Sequence, residues 1–353
     1  MCRPIGFGRK EKIMDNMTFR TFLRRQVTAG RHAARGVAVA GLLGLVASAG
    51  VARAAGAPFL YAANYTAGCI DTLDAAGNKI ASTPNNGQYR WNSLVADKSG
   101  NVYVSIANQI YKINMTTGDG SKTAFVTDPA DDNEIFGLAL DAANNLYFGS
   151  ETTGKIYKVT PDGTAHVLAS GLGNPGAITI DKVGNLYVGD QGFVGPNGSK
   201  AKNGDKVYKV TPAGIVSTYA SGFKTAANIQ NSDVLGLAFN PADKGARAGT
   251  LYVSLDQDAA GNNAGIKIAQ VAPGGGSASK ITPYVTTNGP APGYYLGSIA
   301  FDQSGNLYYV DNGGGGSIYK IGPGGAGAAT KFGTTQNGFG IALAPARANP
   351  TGK

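Results

Sequence analysis

Apolar residues along this chain fall in short runs separated by turns rich in Gly, Asn, Pro and Asp, and the same order of apolar and polar positions recurs. Five segments share it: SLVADKSGNVYVSIANQIYKIN (93–114), GLALDAANNLYFGSETTGKIYKVT (137–160), GAITIDKVGNLYVGD (176–190) with KVYKVT (206–211), GLAFNPADKGARAGTLYVSLD (236–256) with GIKIAQV (265–271), and SIAFDQSGNLYYVDNGGGGSIYKIG (298–322). Each opens with a short apolar stretch ending at Asp97, Asp141, Asp181, Asn240 or Asp302. A turn follows, then an alternating stretch carrying Tyr103, Tyr147, Tyr187, Tyr252 or Tyr308, and then a third stretch of the form xIYKx. Turns such as TPDG (160–163), TPAG (211–214) and GPGG (322–325) lead to a fourth, as in TAHVLAS or IVSTYAS. Runs of this length with period-two patterning predict strands. Four antiparallel strands in a unit of roughly 40 to 60 residues describe a propeller blade.

The two ends of the chain supply one further unit. FGIALAP (339–345) has the pattern of a first strand, whereas FLYAANY (59–65), CIDTLD (69–74) and KIAS (79–82) read as second, third and fourth, with Tyr61 in the tyrosine register. The fold predicted is therefore all-β: a six-bladed β-propeller, four antiparallel strands per blade, its last blade closed by N- and C-terminal strands. Such closure leaves no exposed first or last sheet. The predicted divisions are a leader at 1–54, the propeller at 58–345 and a short tail at 346–353.

Composition alters this picture at one end only. The formal net charge of +9 comes from 31 basic and 22 acidic residues. Ten of the basic and two of the acidic residues precede Ala55, so the remainder holds 21 against 20. Neither nucleic acid, which needs clustered cations, nor a membrane is an expected partner of the mature domain. The leader has the layout of a cleavable export signal: an arginine-rich start with Arg24-Arg25, the apolar run GVAVAGLLGLVASAGV (36–51), and Ala52-Arg53-Ala54 before the expected cut. The run is shorter than the ~20 residues that span a bilayer. The expectation is a periplasmic or secreted protein, exported by the twin-arginine or the general secretory route.

The strings DKVGNLYVGD (181–190) and DQSGNLYYVD (302–311) resemble NHL repeats, and also the wider group of gluconolactonase-like and virginiamycin B lyase-like propellers. The resemblance spans about residues 58–345. It is specific for architecture, since such folds host lactonases, lyases and binding modules alike. For the gluconolactonase group it implies one divalent cation, calcium or similar, at the channel mouth, with an Asn or Asp just before the Gly-Leu that opens a first strand. Those places here hold Asn92, Phe136, Pro175, Leu235, Leu296 and Phe339, of which Asn92 alone has a ligating side chain. The lyase-like relatives imply a central histidine; outside the leader this chain has His166, in a predicted outermost strand.

Two functional readings stay open. The first is a binding module whose loop-bearing face takes a small molecule, a glycan or a protein. The second is a metal-dependent lactonase or hydrolase with a non-standard site. The candidate ligand-binding residues are polar or aromatic groups expected at the loop-bearing ends of the inner strands: Asn64, Trp91, Asn92, Ser150, Glu151, Asp190, Asp256 and Asp311. Asp190, Asp311 and Asn64 are the metal-ligand candidates. Two polar, Gly-rich insertions, 191–206 and 257–265, are expected to enlarge the same face.

Overall fold

A computed structural model of the chain describes residues 57–345, except 66, 84–90, 116, 118–123, 130–134, 152, 192–203, 224–228, 260–267, 278–280, 285–295, 312–315, 326–328 and 336–337. At 91–92, 229–233, 256–259 and 281–283 the backbone alone is described. The expected leader and tail lie outside the described residues.

Strands β1 (Leu60–Asn64), β2 (Cys69–Leu73) and β3 (Lys79–Ser82) begin blade one. Blade two is β4 (Trp91–Ala96), β5 (Asn101–Ile106), β6 (Gln109–Asn114) and β7 (Val126–Thr127); blade three is β8 (Leu138–Leu140), β9 (Leu146–Ser150), β10 (Lys155–Val159) and β11 (Ala165–Ala169). Blade four is β12 (Pro175–Ile180), β13 (Leu186–Asp190), β14 (Lys206–Val210) and β15 (Val216–Ser221). Blade five is β16 (Ile229–Phe239), β17 (Leu251–Ala259), β18 (Ile268–Val271) and β19 (Ile281–Pro283). Blade six is β20 (Leu296–Phe301), β21 (Leu307–Asp311), β22 (Ser317–Ile321) and β23 (Thr330–Thr334). The last strand, β24 (Ile341–Leu343), pairs antiparallel with β1, Leu60 opposite Leu343 and Ala62 opposite Ile341. The result is six sheets of four antiparallel strands, a six-bladed β-propeller.

Six apolar clusters hold the blades together, one in each cleft between neighbours. First strands alternate large and small side chains, except in blade two, where Val95 packs toward blade three and Leu94 and Ala96 toward blade one. Leu138 and Leu140 pack toward blade two, while Ala139 packs toward blade four. Leu237 and Phe239 against Ala238, and Ile299 and Phe301 against Ala300, repeat the division. The small side leaves room for the second-strand tyrosine, which fills the cleft toward the next blade in all six cases: Tyr61, Tyr103, Tyr147, Tyr187, Tyr252 and Tyr308. Alternation of this kind fits sheets that converge on a narrow axis.

The first-to-second turn is held by its own Asp. Asp181 accepts hydrogen bonds from the amides of Val183 (3.0 Å) and Asn185 (2.8 Å), from Asn185 Nδ2 (2.8 Å) and from the Tyr187 hydroxyl (3.3 Å). Asp141 and Asp302 make the same four bonds. In blade five Asn240 stands in the Asp position and Asp243 receives the Tyr252 hydroxyl instead, at 2.9 Å. The lysine of the xIYKx stretch lies over the tyrosine ring in four blades: Lys112, Lys158, Lys209 and Lys320, each opposite its tyrosine in register. One side chain therefore joins the turn, the cleft and the third strand.

Blade five departs from the expected boundaries. Its first strand starts at Ile229, ahead of the predicted start at 236, and its second runs to Ala259, into the predicted insertion at 257–265. β18 pairs with β17 only over Leu251–Ser254, so the remainder of β16 and β17 forms a two-stranded ribbon. Apart from Ile229 and Ala259, the segments IQNSD and QDA are polar, and carry no apolar alternation by which a strand is read.

Candidate functional site

In every blade the turn joining second and third strands, and the passage from fourth strand to the next blade, lie at the same end. Asn64, Ser150, Asp190 and Asp311 are the last residues of β1, β9, β13 and β21, and all four are buried. The structure places these sequence candidates at equivalent positions on blades one, three, four and six. The backbone of Trp91, Asn92 and Asp256 lies in β4 and β17, and their side chains fall outside the described residues. Most of the 191–206 insertion also falls outside them.

Each described candidate is engaged close to home. Asn64 Oδ1 accepts the Ala67 amide (3.0 Å), and its Nδ2 donates to Asp71 Oδ2 (3.0 Å). Asp71 is fully buried and also accepts Ser82 Oγ (2.6 Å) and Lys79 Nζ (3.2 Å), tying three strands of blade one. Asp190 Oδ1 accepts the Asn174 amide (3.1 Å), and Oδ2 accepts the Tyr208 hydroxyl (3.2 Å). Glu151 Oε1 accepts Asn174 Nδ2 (3.3 Å), which bridges blades three and four. Ser150 Oγ accepts the Thr153 hydroxyl (2.8 Å). Asp311 sits opposite Leu296 and Ser317. Burial, and then the Asp311 charge, raises the Tyr309 phenol above its usual range. Burial and the Asp190 charge raise Tyr208 likewise.

Glycines let the backbone crowd around these groups. A Cβ on Gly173 would meet Asp190 Oδ2 at 2.3 Å, and one on Gly137 would meet the Gly176 carbonyl oxygen at 2.0 Å. Only glycine permits such approaches.

The metal-ligand candidates are spread over the ring. Asn64 on blade one stands opposite Asp190 on blade four, and Asp311 belongs to blade six. Among the described residues no three His, Cys, Asp or Glu side chains gather as a metal cluster. His166 lies exposed in the outer strand β11. Three functional-looking partners escape the sequence reading: Asp71, Asn174 and Tyr208. Asp71 occupies the place that Tyr111, Tyr157, Tyr208 and Tyr319 hold in the xIYKx stretch of other blades. That break in the repeat is a signal present in the sequence.

The first strands β4, β8, β12, β16, β20 and β24 enclose a central cavity of about 310 Å³. Among the described residues its wall is drawn from 93–95, 136–140, 177–180, 235–239, 298–300 and 341–342, all of them uncharged. The hydroxyl-bearing members are Ser93, Thr179 and Ser298.

No protein-family model matches the sequence, and no curated protein does. Solved structures do. A chain of the nidogen/laminin complex is similar at 18% identity and a TM-score of 0.58, covering 81% of this chain and 98% of that one. A streptogramin B lyase is similar at 18% identity and 0.53, covering 81% and 83%. A gluconolactonase from Xanthomonas campestris is similar at 17% identity and 0.52, covering 70% and 77%. At these identities the likeness is one of fold.

Proposed function

We propose that this chain is an exported propeller that acts as a binding module, with its loop-bearing face as the contact surface for a small molecule, a glycan or a protein. The observation that carries this reading is the use made of the polar groups at that face. Asn64, Glu151 and Asp190 bond to loop amides or to neighbouring side chains within their own or the adjacent blade. A site for a hard cation needs several converging oxygens, whereas groups bonded to loop amides build a stiff frame on which variable loops are displayed. The arginine-rich leader and apolar run support a periplasmic or secreted location.

The competing reading is a metal-dependent lactonase with Asp190, Asp311 and Asn64 as ligands. Purified protein, assayed for bound metal and for hydrolysis of a panel of lactones and esters with and without divalent ions, separates the two. The binding-module reading expects no stoichiometric metal and no turnover. A bound cation and a hydrolytic activity lost together in Asp190→Ala would overturn it.

A further inference from the structure

The central channel carries an inference separate from the loop-bearing face. Each first strand ends its sheet, with one hydrogen-bonded neighbour inside the blade. Its other edge turns toward the axis, so backbone N–H and C=O groups share the wall with aliphatic side chains. Some of these groups link neighbouring blades, as the Ser298 amide does to the Phe339 carbonyl at 2.9 Å. A purely hydrocarbon occupant would give the hydroxyls of Ser93, Thr179 and Ser298 no hydrogen bond. Among the described residues an ion would meet a wall without charge, and burying an uncompensated charge is costly. The volume of about 310 Å³ falls in the range of small-molecule sites.

We propose that the channel binds one small uncharged molecule of mixed polarity, with an apolar skeleton and a few hydroxyl, carbonyl or amide groups. Ser93, Thr179 and Ser298, from three different blades, supply side-chain hydroxyls for such groups.

Two dyes with a shared ring system test this. N-phenyl-1-naphthylamine is uncharged, and 1-anilinonaphthalene-8-sulfonate adds a sulfonate. Fluorescence titration of the purified protein is expected to give close to one naphthylamine probe per chain, with the sulfonate at least tenfold weaker. Ser298→Phe, on the wall, should weaken the uncharged probe at least tenfold while circular dichroism and melting temperature stay near wild type. Ser298→Leu, a smaller filler, should weaken it several-fold and serves if the Phe variant fails to fold. Ile215→Ser removes an exposed apolar side chain and should leave binding unchanged. The proposal is overturned if the uncharged probe does not bind, if the sulfonate binds equally well, if a folded filler variant binds like wild type, or if Ile215→Ser abolishes the signal. A positive lactonase assay would overturn the binding-module reading and leave this outcome unaffected.

Discussion

Asp302 joins two backbone amides, an Asn side chain and the Tyr308 hydroxyl, so its loss uncouples the turn from the cleft behind it. Asp302→Ala should lower unfolding stability by about 1–3 kcal/mol, and Tyr308→Phe by about 0.5–1.5 kcal/mol. Urea unfolding checks both: the midpoint should fall with the slope unchanged. In blade three the position of Gly100, Gly184 and Gly305 is taken by Asn144 at φ 63°. Asn144→Val should cost about 1–2 kcal/mol, whereas Asn144→Gly should not destabilise. The same pairs set the pH limits. Burial alone would raise Asp141 and Asp181, yet hydrogen bonds from Asn145 and Asn185 and from turn amides outweigh it and hold both below the usual carboxylate range. Their contribution is present above the ordinary Asp value of about 3.9 and is lost as pH falls through their lowered folded values. Burial, with the neighbouring Asp, raises Tyr147, Tyr187, Tyr252 and Tyr308. That contribution is complete below about pH 10 and is lost as pH rises above it. Melting temperatures measured across pH should therefore form a plateau that drops at both ends, and Tyr308→Phe should soften the alkaline drop.

At the scale of the strand, the large-small alternation fixes which cleft each side chain enters. Ala238→Leu would push a branched side chain toward Tyr252 and should cost about 1–3 kcal/mol by overpacking. Leu138→Ala removes a buried side chain and should cost about 2–5 kcal/mol. Chemical denaturation of the two variants, compared with Val183→Ala at an exposed site, checks the ranking. These strands were legible because each is a short apolar run closed by an Asp or Asn and a tight turn, a local pattern that names its own boundaries. The tyrosine register and the xIYKx lysine were legible too, but not the reason they recur together, because a ring stacked under a cross-strand lysine depends on register. The ribbon of blade five was illegible, since a polar hairpin extension has no apolar face to mark it. At the loop-bearing face the sequence supplied Asn64, Ser150, Glu151, Asp190 and Asp311 as a possible ring. What it could not supply was their partners: the Asn174 amide is 16 residues from Asp190, and the Asn174 side chain reaches Glu151 across a blade boundary.

At the scale of the whole molecule, neighbouring blades interlock in one rotational sense. A positive-φ glycine in the third-to-fourth turn seats against a backbone carbonyl of the preceding blade: Gly163 on Phe125, Gly214 on Leu168, Gly275 on Tyr219 and Gly325 on Tyr284. Gly77 of blade one does the same on Phe332 of blade six. Removing residues 338–353 would take away β24, the partner of β1, and part of two clefts. The truncated chain should melt well below the full chain and non-cooperatively. A circular permutant with joined ends, opened at 170–171, should melt within a few degrees of it. Calorimetry checks both, and equal stability of truncated and full chains would count against β24 as a closing element. The pairing of Leu60 with Leu343 also has a consequence in time. During synthesis β1, β2 and β3 wait, one edge open, until β24 has left the ribosome. A ribosome that stops early therefore releases a chain with an unpaired β1 edge, which proteases can tell apart from the finished product.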